Sequence, residues 1–224
     1  MEDESNAASG ASARALDTPV TIAIEGEICD ATLTEIRDGL QQVRDSKQKR
    51  LLLEIASDGG SVYACLGIID LLRAWMSEDP THELITFATH AFSAACTLFG
   101  LGSTRIASPL STFMNHACSG GIEGEVGKMH QQLAEAERVN RLCDEQLALQ
   151  IGAEATEQLC SNGEKYVDAK TAKAMGLATH IGHVRARVDV IVDILEQSVG
   201  SDAAAPPAAK RAKRVSRSSG SSTT

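Results

Sequence analysis

Two residues of this chain have the types and setting for nucleophilic chemistry. Ser93 stands in Ala91-Phe92-Ser93-Ala94, after the apolar run Leu84–Ala88 and at the head of a small-residue segment, Ser93–Gly100. His116 comes later, behind two strand-like runs, Thr104–Ala107 and Thr112–Asn115. A serine hydroxyl is a poor nucleophile until a base takes its proton, and the oxyanion then formed on a carbonyl needs fixed donors. The first turn of a helix offers such donors, because its N–H groups lack intrahelical partners and carry partial positive charge. The pattern suits acyl transfer, with Ser93 as nucleophile and His116 as base. Read singly, each has an ordinary role: serine caps helices, and a core histidine satisfies itself on a carbonyl. Cys96 is a rival nucleophile, but it has no adjacent base and reads as packing.

The elements that must position these residues alternate. Val20–Glu25 is a β-branched strand ended by Gly26, and a helix follows with Thr32 and Glu35 as a capping-box pair. Leu33, Ile36, Leu40 and Val43 form the apolar stripe of that helix. Leu51–Ala56 is a nearly continuous apolar run, the mark of a parallel strand covered on both faces. Ser57-Asp58-Gly59-Gly60 reads as a tight turn into a helix, Val62–Met76, with Leu66, Ile69, Leu72 and Trp75 on one side. Strand Leu84–Ala88 then breaks at Thr89–His90. Beyond His116 lies a loop, Cys118–Gly124, and a long helix, Glu125–Gln150, striped by Met129, Leu133, Ala136, Cys143 and Leu147 and closed by Gly152. A short helix spans Ala155–Cys160, Asn162-Gly163 turns, and Asp168 caps a helix that Gly176 stops. Leu177–Ile181 reads as a last strand and Val184–Gln197 as a last amphipathic helix. This alternation argues for an α/β fold with right-handed crossovers.

Composition bounds the rest. A chain of 224 residues with 43% hydrophobic and 23% charged content fits one soluble globular domain, and 3% aromatics leaves the core to aliphatic side chains. The domain is expected at 19–199, between a polar tail, 1–18, and a basic tail, 200–224. The basic tail carries Lys210, Arg211, Lys213, Arg214 and Arg217 and reads as a solubilising extension before a nuclear or nucleic-acid signal. No apolar run reaches membrane length, and the acidic start does not resemble a signal peptide, so a cytoplasmic protein is expected. A net charge of −9 disfavours nucleic-acid binding by the body. Six scattered cysteines, with no CxxC pair, suggest buried reduced thiols, with neither disulfides nor a metal site, and no cofactor is indicated.

Four features fall in order: Ser57-Asp58-Gly59-Gly60 after a buried strand, Ser93 after the next, Met114-Asn115-His116, and Gly120-Gly121 before a long helix. With Glu164-Lys165-Tyr166…Ala169-x-x-Ala172-x-x-x-Gly176-Leu177, this series resembles the Clp-type proteolytic subunit, a serine peptidase with the Clp/crotonase fold. That family has Ser-Pro-Gly-Gly, a serine among small residues, Met-Ile-His-Gln, a Gly-Gly loop, and Asp-Arg-Phe before a similar ending. The resemblance spans about Val20 to Ile181 and lies in order and spacing. It implies repeated β-β-α and βαβ units with a long interface helix. It also implies an endopeptidase acting through an acyl-enzyme: Ser93 the nucleophile, His116 the base, and the amides of Gly59 and Ala94 the oxyanion donors. Glu164 aligns with the family's aspartate, with Asp168, a helix cap in the alignment, as the alternative third member. Gly60, Gly120 and Gly121 would bind an extended peptide by strand addition.

The implied partners are peptide or protein substrates and a homo-oligomeric ring built through the long helix. Asp58 stands where the family has proline. The polar N-terminal stretch does not resemble the segment that builds the axial gate and docks a Clp-type ATPase, which argues against such dependence. A phage-type relative, trimming capsid or scaffold proteins, is a close subtype by analogy. Two alternatives remain open at this point: a crotonase-type enzyme acting on acyl-CoA, which uses a similar pair of amides without a nucleophilic serine, and an inactive structural subunit of a protease ring.

Overall fold

A computed structural model describes residues 20–160, 163–184 and 195–196. Five parallel strands form the body of one sheet: β1 (Thr21–Ile28), β2 (Arg50–Gly60), β3 (Glu83–Phe92), β4 (Thr104–Asn115) and β6 (His180–His183), in that spatial order. β5 (Lys165–Asp168) runs antiparallel to the end of β4, and β7 (Leu195–Glu196) antiparallel to β6. The crossovers are α1 (Asp30–Asp45), α2 (Val62–Glu78) and α3 (Ala94–Gly100). α4 (Val126–Ile151), α5 (Ala153–Cys160) and α6 (Ala169–Ala174) then lead into the last strands. This is the mixed α/β architecture that the Clp/crotonase resemblance implies.

Leu51, Leu53 and Ile55 of β2 face the main core, where Ile36, Leu40, Ile68, Leu72 and Trp75 of α1 and α2 cover them. Leu52 points the other way, onto Ile85 and Ile106. The apolar run of β2 is thus buried on both faces, as a parallel strand between crossovers must be. A buried arginine ties in the far side of the sheet: Arg105 on β4 donates to the carbonyls of Gly102, Gly176 and Leu177 at 2.8–2.9 Å. Three carbonyls satisfy a group that would otherwise be costly to bury.

Several local expectations are corrected. The capping box of α1 joins Cys29 and Thr32, so Glu35 has no part in it; Thr32 Oγ1 accepts from the Cys29 amide at 3.2 Å. Ser57–Gly60 is not a tight turn. β2 continues through it with a shift of pairing after Ala56, Glu27 then standing opposite Gly59 and Ile28 opposite Gly60, because parallel pairing with β1 resumes past the apolar residues. Likewise β3 does not end at Thr89–His90 but continues to Phe92, with a shift of pairing between Ala88 and His90. The two runs expected at Thr104–Ala107 and Thr112–Asn115 are one strand, bulged at Ser108–Ser111 to absorb that shift. β5 was not expected at all, and the last parallel strand is His180–His183 rather than Leu177–Ile181.

The helices differ in detail too. Leu33 and Leu66 are only half-buried, and Thr32 and Ala64 take the core positions beside them. Asp168 caps α6, accepting from the Thr171 amide at 2.8 Å, as expected. On α4 only Val139 and Leu147 are buried, while Leu133 of the expected stripe is exposed. The helix expected over Val184–Gln197 lies mostly outside the described residues; of those described, Val184 is not helical and Leu195–Glu196 is strand. Both expected tails, and Asn162 of the expected turn, also lie outside the described residues.

Candidate active site

β3 delivers the chain to Ser93, where the backbone bends sharply. Ser93 is the N-cap of α3, not a residue of its first turn, and has φ 53° and ψ −125°. A side chain makes that conformation costly, so it persists only where the surroundings impose it. Here they do: the Ser93 amide donates to the Met114 carbonyl at 2.8 Å, and its carbonyl accepts from the Cys96 amide at 2.9 Å. The first bond is made to β4, the strand that ends one residue before His116. His116 Nε2 lies 2.8 Å from Ser93 Oγ. An imidazole nitrogen at that distance can take the hydroxyl proton.

Gly59 closes on the same bend. Its φ is +98°, and a Cβ there would stand 2.7 Å from the Phe92 carbonyl oxygen, 2.9 Å from Ser93 Cβ and 3.2 Å from the Ala94 nitrogen. Only glycine allows this approach. Ala94 opens α3, so its amide has no helical carbonyl four residues back. Two amides therefore flank Ser93. That of Gly59 donates to the Ser57 hydroxyl at 3.0 Å.

Ser93 and His116 open onto a cleft of about 310 Å³, lined also by Gly60, Ser61, Thr97 and Asp144. A more apolar hollow of about 570 Å³ shares the wall formed by Val62, Tyr63 and Cys118 and extends over Ile122, Leu133 and Val139. Gly120 and Gly121 border this hollow in an exposed loop; a Cβ at either would meet nothing within 4 Å, so space does not require glycine there.

The two carboxylates considered for the third position are not on His116. Glu164 Oε2 accepts from the Tyr166 hydroxyl at 3.1 Å, and Asp168 is engaged in capping α6. The antiparallel ladder separates them, however. Asn115 pairs with Lys165 as the last pair of the ladder, with His116 and Glu164 each the next residue beyond it, whereas Asp168 pairs with Thr112. Four residues along a strand is about 13 Å, which takes Asp168 out of reach.

Sequence reasoning missed a polar chain that braces His116 from both sides. Asn115 Nδ2 donates to Cys160 Sγ at 2.9 Å, and the Cys118 amide donates to Asn140 Oδ1 at 3.0 Å. Asn140 Nδ2 in turn donates to Asp144 Oδ2 at 3.2 Å. Burial raises the Asp144 carboxyl above its ordinary value and pushes the Cys143 and Cys160 thiols up to about 12. The available signal was spacing: Asn140, Cys143, Asp144 and Leu147 share one helical face. All six cysteines are free thiols, but only Cys65 and Cys96 are buried and Cys118 is exposed, which corrects the expectation of six buried ones. No described helix is long and apolar enough to cross a membrane.

The family profile described as Clp protease matches residues 4–185. The chain belongs to the Clp protease family. Among curated relatives it is 30% identical over 157 residues to the ATP-dependent Clp protease proteolytic subunit 1 of Rhodopirellula baltica, covering 69% of this chain and 68% of that protein. It is 29% identical over 156 residues to subunit 1 of Rhodococcus jostii (67% and 69%) and 28% identical over 150 residues to subunit 2 of Corynebacterium jeikeium (65% and 68%). As a Clp-type proteolytic subunit it is a peptidase, and neither the acyl-CoA alternative nor the inactive-subunit alternative is favoured by these matches.

Proposed function

We propose that this Clp protease family member is a serine-type endopeptidase working through an acyl-enzyme. The observation that carries the reading is the 2.8 Å contact between His116 Nε2 and Ser93 Oγ at a strained strand-to-helix bend. His116 takes the hydroxyl proton as Ser93 Oγ attacks the peptide carbonyl. The amides of Gly59 and Ala94 hold the oxyanion. The C–N bond then breaks, the amine leaves with the proton from His116, and water hydrolyses the ester by the same route in reverse. Glu164, next to the last ladder pair as His116 is, orients the imidazole. Gly60 and the Gly120-Gly121 loop lie along the path of an extended peptide.

The substrates on this reading are proteins or peptides, and the working form is a cytoplasmic ring of identical subunits. α4 supports the ring: its 26 residues span about 39 Å, yet only two of its side chains are buried. The relatives' printed description as ATP-dependent brings an ATPase partner into the proposal. The test is labelling with a fluorophosphonate, then mapping the modified peptide. Modification at Ser93, abolished in Ser93→Ala together with peptide cleavage, is the expected result. A Ser93→Ala protein that still cleaves peptides would sink the reading.

A further inference from the structure

Resting on the serine-peptidase reading, we propose that Tyr166 is a positioning residue that holds Glu164 for His116. With Nε2 accepting from Ser93, the other ring nitrogen, Nδ1, carries a proton and needs an acceptor to fix the tautomer. The ladder ends with Asn115 opposite Lys165, and its register carried one residue further would set Glu164 opposite His116. Directly opposed residues share a face, with Cβ atoms about 4.5–5.5 Å apart. Yet Glu164 is exposed, and its three side-chain torsions leave an unanchored carboxylate free to wander in water.

Tyr166, two residues on and so on the same face, supplies the anchor. Its hydroxyl donates to Glu164 Oε2 at 3.1 Å and so engages one of the two carboxylate oxygens. The phenol is itself held: its ring stands edge-on to Phe92, with centroids 5.7 Å apart at 80°. Phe92 is the residue before the nucleophile, so the anchor is referenced to the strand end that carries Ser93. Where the resembled family has Asp and Phe, this chain has Glu and Tyr at 164 and 166. The longer carboxylate comes with the hydroxyl that restrains it.

The experiment compares wild type, Tyr166→Phe, Glu164→Gln and the double variant by peptide hydrolysis over pH and by fluorophosphonate labelling. Tyr166 is 55% exposed, so its variant folds and melts as wild type does. Tyr166→Phe is expected to lower kcat about tenfold with KM unchanged, the order of a lost hydrogen bond to a charged group. The acidic limb of kcat moves to lower pH, because a less well-held carboxylate favours the imidazolium less. The other titratable groups nearby are Asp144 and Cys143 on α4, Cys118, Lys165, and the His90–Asp58 pair beyond Phe92. They are the same in Tyr166→Phe, so the movement reads on Glu164. In the Glu164→Gln background the tyrosine change has no further effect on kcat. Wild-type rates and an unmoved limb in Tyr166→Phe overturn the proposal, as does an equal loss in the Glu164→Gln background. Failure of wild-type Ser93 to label overturns the peptidase reading and this inference with it. Labelling with an inert Tyr166→Phe overturns this inference alone.

Discussion

Replacing Gly59 by alanine tests whether the end of β2 and the bend at Ser93 form one catalytic unit. Gly59→Ala imposes two costs. The first is backbone strain at φ +98°, about 1–2 kcal/mol for a residue with a Cβ. The second is contact: the new methyl would sit 2.7 Å from the Phe92 carbonyl oxygen and 2.9 Å from Ser93 Cβ, so the two backbones must part by roughly 0.5–1 Å. That separation draws the Gly59 amide away from where the oxyanion forms, and losing one such donor costs about 10²–10³ in rate. Gly26→Ala is the control, because its φ is +72° and a Cβ there meets nothing within 4 Å. It carries strain without contact and should lower the melting temperature by about 2–8 °C while leaving catalysis intact. The assay is the second-order rate of fluorophosphonate labelling at Ser93, read beside a thermal melt. Equal labelling rates for Gly59→Ala and Gly26→Ala would refute the reasoning.

Two further outcomes test the fold around the site. Leu147 is fully buried against α3, where its Cδ1 occupies the space a Cβ on Gly100 would need. Leu147→Ala should therefore cost about 2–5 kcal/mol of unfolding free energy by denaturant titration and slow Ser93 labelling, whereas Leu149→Ala, at an exposed position, should stay within about 0.5 kcal/mol. Asp79 is held well below the usual carboxylate range, first by Lys49 and then by Thr81. Its folded value lies below its unfolded one, so its contribution is present above about pH 4 and is lost as pH falls through the folded value. Asp79→Asn should lower the melting temperature at neutral pH and flatten its fall below about pH 4; an unchanged acid slope would count against the pairing.

The candidate site was legible in part because its demands act on residue type. A parallel strand covered on both faces has to be apolar throughout, so Leu51–Ile55 announces itself. A close backbone approach calls for glycine, which marks Gly59, and the small residues Ala94 and Ala95 that follow the bend mark Ser93. The glycines of the loop before α4 carried less than their type suggested, since Gly120 and Gly121 lie in open space.

What the linear pattern could not supply was pairing between distant strands. Ser57–Gly60 has the composition of a turn, yet β1 alongside keeps its end paired as strand, because a ladder partner outweighs local preference. The four residues of β5 have too weak a signal to be read alone, and they become a strand only because the end of β4 offers unpaired backbone groups. That pairing brings Glu164 and His116 to the same end of the ladder, and the bulge at Ser108–Ser111 lets one strand serve two registers on its way to His116. Residue chemistry along the chain named the alcohol and the imidazole. The 2.8 Å between them depends on hydrogen bonds from β3 to β4, which only the folded sheet can form.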